Sequence, residues 1–173
     1  MTLVFQYGSN TCTGRLNSDN RLQGDAKDLG LVQTATSFEL DFDVWSKTNN
    51  CAAADIREGS GRSIWGVLYE IPDYLIRRDT AGQRQSLDAI EANGTSYCRR
   101  LIHVQLPDGT PIPGEVITYT VRNPKPDLKT SIEYVTHIIK GLKEHSAPDE
   151  YVAYVKERII VNNPDLATNV YQL

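Results

Sequence analysis

Long apolar runs are missing from this chain. None approaches the about 20 residues that a spanning helix needs. The N-terminus also lacks the basic region and apolar segment of a secretory signal. Basic runs are missing too: 18 Lys and Arg stand against 22 Asp and Glu, a formal net charge of −4. That argues against a surface for nucleic-acid phosphates, though not against a local basic pocket. Cysteine is scarce. Cys12, Cys51 and Cys98 are odd in number and far apart, which fits free thiols in a reducing compartment. There is no CxxC or HxxxH pair, and His103, His137 and His145 are scattered, so no structural zinc site is expected. Walker and dinucleotide loops are absent; Gly59-Ser60-Gly61 lacks a third glycine and a following helix. Ser9 is not in a G-x-S-x-G elbow. Cys98 and His103 fall on opposite faces of one strand, so they make no nucleophile–base pair. No repeat and no long linker appears. What remains is a chain of 173 residues, 40% hydrophobic and 23% charged. It reads as one soluble cytoplasmic domain, residues 1–173, with partners in neither nucleic acid nor membrane.

The most informative stretch is Val4-Phe5-Gln6-Tyr7-Gly8-Ser9-Asn10. Leu3, Phe5 and Tyr7 alternate with Val4 and Gln6, the period of a strand. Gly8 then permits a positive φ and a close approach to the main chain. Successive N–H groups in such a loop can form a nest for a carboxylate or an oxyanion. A plain tight turn is the other reading.

Further along, a short helix is expected around Thr13–Asn17, an extended stretch from Gly30 to Val44, and a turn at Ser46–Asn50. Cys51–Glu58 reads as a buried strand, Gly59-Ser60-Gly61 as a turn, and Ile64–Ile71 as a strand ended by Pro72. That gives four strands before the first convincing helix. Asp73 can cap a short helix over Tyr74–Arg78, and Ser86 another over Leu87–Asn93, with Gly94 beyond its end. Tyr97–Leu106 and Pro113–Val121 read as strands joined by a hairpin at Pro107-Asp108-Gly109. Thr130 and Glu133 have capping-box spacing. The stripe Val135, Ile138, Ile139, Leu142 marks one helix, and Tyr151, Val152, Val155, Ile159 a second, ending at Asn162-Asn163-Pro164. Two such helices joined by a turn suggest an antiparallel pair packed on the sheet.

Among ionisable groups, Glu91 stands out. Leu87 and Ile90 point to the core, and Glu91 flanks that face. A partly buried carboxylate has a raised pKa, which suits a general base near neutrality. A solvated glutamate on a helix flank is the plainer alternative. Asp88, in the first turn, can face the positive end of the helix dipole or pair with Glu91. Tyr7, Tyr97, Tyr119 and Tyr134 either pack singly in the core or converge as a polar-tipped pocket. Trp45 and Trp65 read as core or rim aromatics.

Taken together, Tyr7-Gly8-Ser9-Asn10 after a first strand, Ile64-Trp65-Gly66-Val67-Leu68-Tyr69, and Leu87-Asp88-Ala89-Ile90-Glu91 resemble the γ-glutamylcyclotransferase family (the AIG2-like fold). Ser131, Tyr134, Ile138, Ile139, Gly141 and Tyr151 match its closing helices, so the resemblance covers nearly the whole chain. It implies an α+β fold with a mixed, barrel-like sheet, flanking helices and two C-terminal helices packed on it. It implies cyclisation of a γ-glutamyl group to 5-oxoproline with release of the attached amine or amino acid. The family's catalytic glutamate falls on Glu91, and its substrate loop on Phe5, Gln6, Tyr7, Gly8, Ser9 and Asn10. Its binding tyrosine at the start of a late helix falls on Tyr134, and its other pocket tyrosines on Tyr97 and Tyr119. No metal or organic cofactor is implied, and the partner is a small γ-glutamyl compound. The departures are Thr11 in place of an apolar residue, Ala92 in place of Gly, and His145-Ser146-Ala147 in place of a Gly-containing turn. No hydrophobic pair follows Tyr-Gly-Ser, which speaks against glutathione. A cyclotransferase for a larger γ-glutamyl conjugate, and a non-catalytic ligand- or protein-binding module on the same fold, remain alternatives.

Overall fold

The computed structural model describes residues 1–59 and 61–173. Ser60, in the expected Gly59-Ser60-Gly61 turn, lies outside the described residues. Eight strands and five α-helices follow in the order β1 (Thr2–Gln6), α1 (Thr13–Leu16), β2 (Lys27–Thr34), β3 (Phe38–Ser46), β4 (Cys51–Glu58), β5 (Trp65–Ile71), α2 (Leu87–Ile90), β6 (Tyr97–Ile102), β7 (Val104–Gln105), β8 (Val116–Val121), α3 (Ile132–Glu144), α4 (Asp149–Asn162) and α5 (Ala167–Gln172). Six strands form a mixed sheet in the order β6-β8-β1-β5-β2-β7, and β3 and β4 form a separate ribbon. The class is α+β, as expected.

The first strand is central. It runs antiparallel to β5, with Phe5 opposite Leu68, and parallel to β8, with Leu3 opposite Val116. Its two faces feed two cores. Phe5 joins the core beneath β3, β4, α3 and α4, whereas Val4 joins Leu16, Tyr69, Leu75 and Leu87 on the other side. A strand buried on both faces needs apolar residues at consecutive positions, as Leu3-Val4-Phe5 supplies. Gly66 explains the glycine in the β5 motif: a Cβ there would run into the Gln6 carbonyl and the Phe5 ring. Gly141 does the same for α3, whose backbone lies directly against Thr11 and Cys12.

Several local expectations are revised. The extended stretch from Gly30 to Val44 is two strands broken at residues 35–37, so five strands precede α2 rather than four. Tyr97–Leu106 also breaks, at His103: β6 pairs with β8, while β7 crosses to β2. The expected hairpin at Pro107-Asp108-Gly109 is nonetheless there: Gln105 bridges Pro111 across the turn, and β6 and β8 on either side of it pair antiparallel. Asp73 caps no helix; it binds the N-terminal ammonium at 2.7 Å and the Thr2 hydroxyl. Helix α3 is capped by Ser131, whose Oγ accepts from the Tyr134 N–H, not by Thr130. Helix α2 stops at Ile90 because Ala92 takes φ +49°. In the ribbon, the register slips between Phe42 and Val44, leaving Asp43 as the extra residue of a bulge. Asp43 is buried, and neither carboxylate oxygen has a hydrogen-bond partner among the described residues.

Candidate active site

Where β1 ends, the chain turns into a loop that stays inside the protein; Ser9 and Asn10 are only 7% and 4% exposed. Thr11 and Cys12 donate their N–H groups to Gly8 and Ser9 carbonyls. The N–H groups of Gly8, Ser9 and Asn10 find no acceptor among the described residues. Gly8 has φ −92°, so the positive φ allowed from sequence is not used. What matters is room: a Cβ on Gly8 would sit 3.2 Å from the Tyr134 hydroxyl and 3.5 Å from the Ala54 methyl.

That space is a niche of about 30 Å³ bounded by Gln6, Tyr7, Gly8, Ser9, Asn10, Ala54, Glu91, Tyr97, Tyr119 and Tyr134. Nearly every site residue expected from sequence is therefore brought to one place. Phe5 is the exception; its ring lies in the core beneath the loop, fully buried. The niche shares Ser9, Asn10, Glu91, Tyr97 and Tyr134 with an outer cleft of about 410 Å³, which is also lined by the end of β3 and the turn after it, from Trp45 to Asn49.

Glu91 caps the C-terminus of α2, with its N–H on the Leu87 carbonyl. Both amide donors nearby converge on one oxygen: Asn10 Nδ2 lies 2.7 Å, and Gln6 Nε2 3.1 Å, from Oε1. Oε2 accepts no bond among the described residues. Burial pushes the Glu91 carboxyl above the usual carboxylate range. The Arg21 charge and the two amide bonds pull it part of the way back. A carboxylate clamped on one oxygen and open on the other can take a proton without losing its position.

The tyrosines build the walls. Tyr97 donates to the Ala54 carbonyl at 2.7 Å, and the Ala54 N–H donates to the Tyr134 hydroxyl at 3.0 Å. One residue of β4 thus holds both rings through its own N–H and C=O. The Tyr134 hydroxyl accepts that bond and keeps its own proton to donate. Tyr7 donates to the Tyr119 carbonyl at 2.6 Å. Burial raises the pKa of all four phenols, so they are neutral donors at physiological pH.

Asp88 makes no pair with Glu91. It accepts the Tyr119 hydroxyl at 2.7 Å and an ion pair from Arg99 at 3.1 Å. Its role is to fix Tyr119, which its position in the first turn of α2 did not reveal. Sequence reasoning also missed Arg21 and Ala54. Arg21 lies in an aperiodic polar stretch, and Ala54 acts only through its backbone. Cys12, Cys51 and Cys98 are free thiols, as expected. Among the described residues, no group of side chains could hold a metal ion, and no helix is long and apolar enough to cross a membrane.

The fold and the niche define a class: a mixed curled sheet closed by two long helices, with one enclosed carboxylate in a tyrosine-walled pocket at the end of the first strand. The model of the AIG2-like family matches residues 63–155, and the chain belongs to that family. A sequence search of curated proteins finds no match. In structure, the chain is similar to a γ-glutamyl cyclotransferase, at 24% identity over 90% of this chain and 86% of the other, with a TM-score of 0.72. It is equally similar to the uncharacterized protein loc79017 from Homo sapiens, at 25% identity, the same coverage and a TM-score of 0.72. YkqA from Bacillus subtilis aligns at 18% identity and a TM-score of 0.69, over 91% of this chain but 54% of its own. The fold is therefore of the γ-glutamylcyclotransferase type.

Proposed function

We propose that this protein is a cytoplasmic, cofactor-independent γ-glutamylcyclotransferase. It converts a γ-glutamyl amide into 5-oxoproline and the free amine or amino acid. The observation that carries the reading is the Glu91 carboxylate, held on Oε1 by Asn10 and Gln6, unbonded at Oε2, and raised in pKa by burial in the niche.

The substrate brings its own nucleophile. Its α-amine, as the free base, attacks the γ-carbonyl carbon and closes a five-membered ring, so no Ser, Cys or metal is required. Holding the glutamyl chain folded is a large part of the catalysis. As the new C–N bond forms, the amine's proton passes to Glu91 Oε2. As the old C–N bond breaks, the same proton passes to the leaving nitrogen. One glutamate serves as base and then acid, with no net proton change. The unbonded N–H groups of Gly8, Ser9 and Asn10 suit the substrate's α-carboxylate or the oxyanion. Tyr97, Tyr119 and Tyr134 confine the glutamyl chain.

The test is to incubate the protein with a panel of γ-glutamyl amino acids, γ-glutamyl amines and larger conjugates and to measure 5-oxoproline. Release from at least one member, with stoichiometric amine, is expected. Binding without turnover across the panel would replace the enzyme with a binding module on the same fold.

A further inference from the structure

We propose that the cavity between the β3–β4 ribbon and the C-terminal end of α4 is a second ligand site, which takes a zwitterionic α-amino acid by seating its ammonium on Asp43 and its carboxylate on Lys125. The site does not depend on the cyclotransferase reading of the niche. The cavity holds about 570 Å³ and shares no lining residue with the niche or with the cleft outside it. Its walls are tied together. The Lys125 N–H donates to the Asp43 carbonyl at 2.7 Å. Asn162, at the end of α4, donates from Nδ2 to the Phe42 and Leu128 carbonyls and accepts the Thr130 N–H. Residues 124–129 are thus held at both ends, and Pro124 and Pro126 stiffen them between.

Asp43 lacks what a buried carboxylate needs. Its side chain is only 9% exposed, and neither oxygen accepts a hydrogen bond among the described residues. Such groups are normally paired, because burial removes the water that would solvate them. The neighbouring Asp55 also has one oxygen without a donor. The cation beside Asp43 is Arg57, whose Nε stops at 3.7 Å while its Nη2 holds Asp41 at 2.8 Å. Arg158 is engaged as well, by the Leu40 carbonyl at 2.8 Å and by Asp41 at 3.6 Å. Asp43 is therefore screened but not bonded. A primary ammonium is compact and carries three donors, so it can close that gap as the half-exposed Arg57 side chain swings aside. A metal ion lacks ligands here, since among the described residues no group of side chains could hold one. The rest of the ligand follows from the balance of charge. Arg57, Lys125, Lys129 and Arg158 line the cavity against Asp41, Asp43 and Asp127. A polyamine would meet the cations and an inorganic anion would meet Asp43, whereas a zwitterion offers each its opposite. Lys129 pairs with Asp165 at 3.4 Å, but Lys125 has no acidic partner within 4 Å among the described residues. Asp43 and Lys125 spring from backbones that hydrogen-bond directly, so they can reach the two charges on one α-carbon. Phe42, Leu128 and the exposed Val161 add apolar wall for the ligand's side chain.

The experiment is an NMR titration of the whole protein at pH 7.5 with three probes: L-leucine, leucinamide, which lacks the carboxylate, and N-acetyl-leucine, which lacks the ammonium. Leucine should shift the Asp43 and Lys125 amide signals and saturate. N-acetyl-leucine should bind about 10- to 100-fold more weakly, the span of one hydrogen-bonded charge. Asp43→Asn should cut the leucine affinity on the same scale. That variant removes a buried, unpaired charge and is expected to be the more stable one at this pH, so lost binding would not be lost folding. Lys125→Gln should weaken leucine and leave leucinamide unchanged. Burial and Asp55 push the Asp43 carboxyl up to about 6, Asp41 adding to this and Arg57 opposing it. Leucine affinity should therefore also fall by about tenfold per unit as pH drops below that value, because a proton competes for the seat. Equal binding of leucine and N-acetyl-leucine, full affinity in Asp43→Asn, or shifts confined to niche residues such as Ser9 and Asn10 would each overturn the inference. So would the absence of any shift with all three probes. Tighter binding of leucinamide than of leucine would make the cavity a cation site and overturn the zwitterionic ligand.

Discussion

Asn10 and Glu91, 81 residues apart, meet end to end, with the amide Nδ2 2.7 Å from the carboxylate Oε1. The other end of that amide is fixed as well, since Asn10 Oδ1 accepts from Arg21. The loop after the first strand therefore does two things: its Gly8, Ser9 and Asn10 line the niche, and its Asn10 amide orients the carboxylate within it.

Glu91→Gln should lower 5-oxoproline formation by about 100- to 10,000-fold, the usual contribution of a positioned acid/base. The glutamine oxygen can still accept from Asn10 and Gln6, so the melting temperature should hold or rise as a poorly solvated charge disappears. Asp88→Asn should show the reverse pattern: a stability loss of about 1–3 kcal/mol from the broken Arg99 pair, with substantial turnover retained. Normal turnover in Glu91→Gln would remove it from the chemistry.

Activity should fall on the acid side at a pH above the ordinary carboxylate range, because only ionised Glu91 is a base and its pKa is raised. The Gln6 hydrogen bond favours the charged form. Gln6→Met should therefore move the acidic limb of kcat/KM to higher pH. A shift to lower pH, or none, would mean that another group sets the limb.

Tyr134→Phe leaves the Ala54 N–H without its acceptor. Burial of that unpaired donor should cost about 1–3 kcal/mol in a urea titration. Substrate binding should weaken in the same variant, because the ring and hydroxyl form one wall of the niche. A variant that matched wild type in both assays would leave the hydroxyl without a role.

Asp43 gives a pH signature of its own. Burial first, and the neighbouring Asp55 second, push its carboxyl up to about 6. The folded state then holds a proton that the unfolded chain, at about 4, has released. Stability should fall as pH rises from about 4 to about 6 and level off above, by roughly 2–3 kcal/mol. Asp43→Asn should flatten that slope and raise stability at pH 7.5, as denaturation series across the range would record.

Ala92 occupies a left-handed conformation at φ +49°. Such a conformation costs a residue with a Cβ about 1–2 kcal/mol, and Gly does not bear this cost. Gly loses more backbone entropy on folding, so Ala92→Gly should gain less, about 0.5–1 kcal/mol. Equal or lower melting temperature in the variant would mean that the turn is not strained.

Much of this arrangement was legible in the sequence because its parts are local. Alternation in Leu3–Tyr7 marks a strand, Ser86 marks the start of α2, and the stripe from Val135 to Leu142 marks α3. The resemblance then brought Glu91, the loop and the three later tyrosines together, and the geometry places them around one niche. The breaks at residues 35–37 and at His103 were hidden, since alternation does not register a strand that leaves one partner for another. Asp88 was assigned from its place on the helix, but its partners Arg99 and Tyr119 come from the sheet. Arg21 carried no periodic signal at all.

The placement of β1 also bears on how the molecule forms. Its neighbours β5 and β8 begin at residues 65 and 116. The residues of β1 thus wait for partners far along the chain before their hydrogen bonds close. Chains dominated by such distant pairings fold slowly among small domains, because loop-closure entropy is lost before contacts reward it. The niche takes residues from Gln6 through Tyr134, so it closes only once β1, β4, α2, β6, β8 and α3 are in place. A truncated or nascent chain ending before residue 134 would hold Glu91 without its pocket.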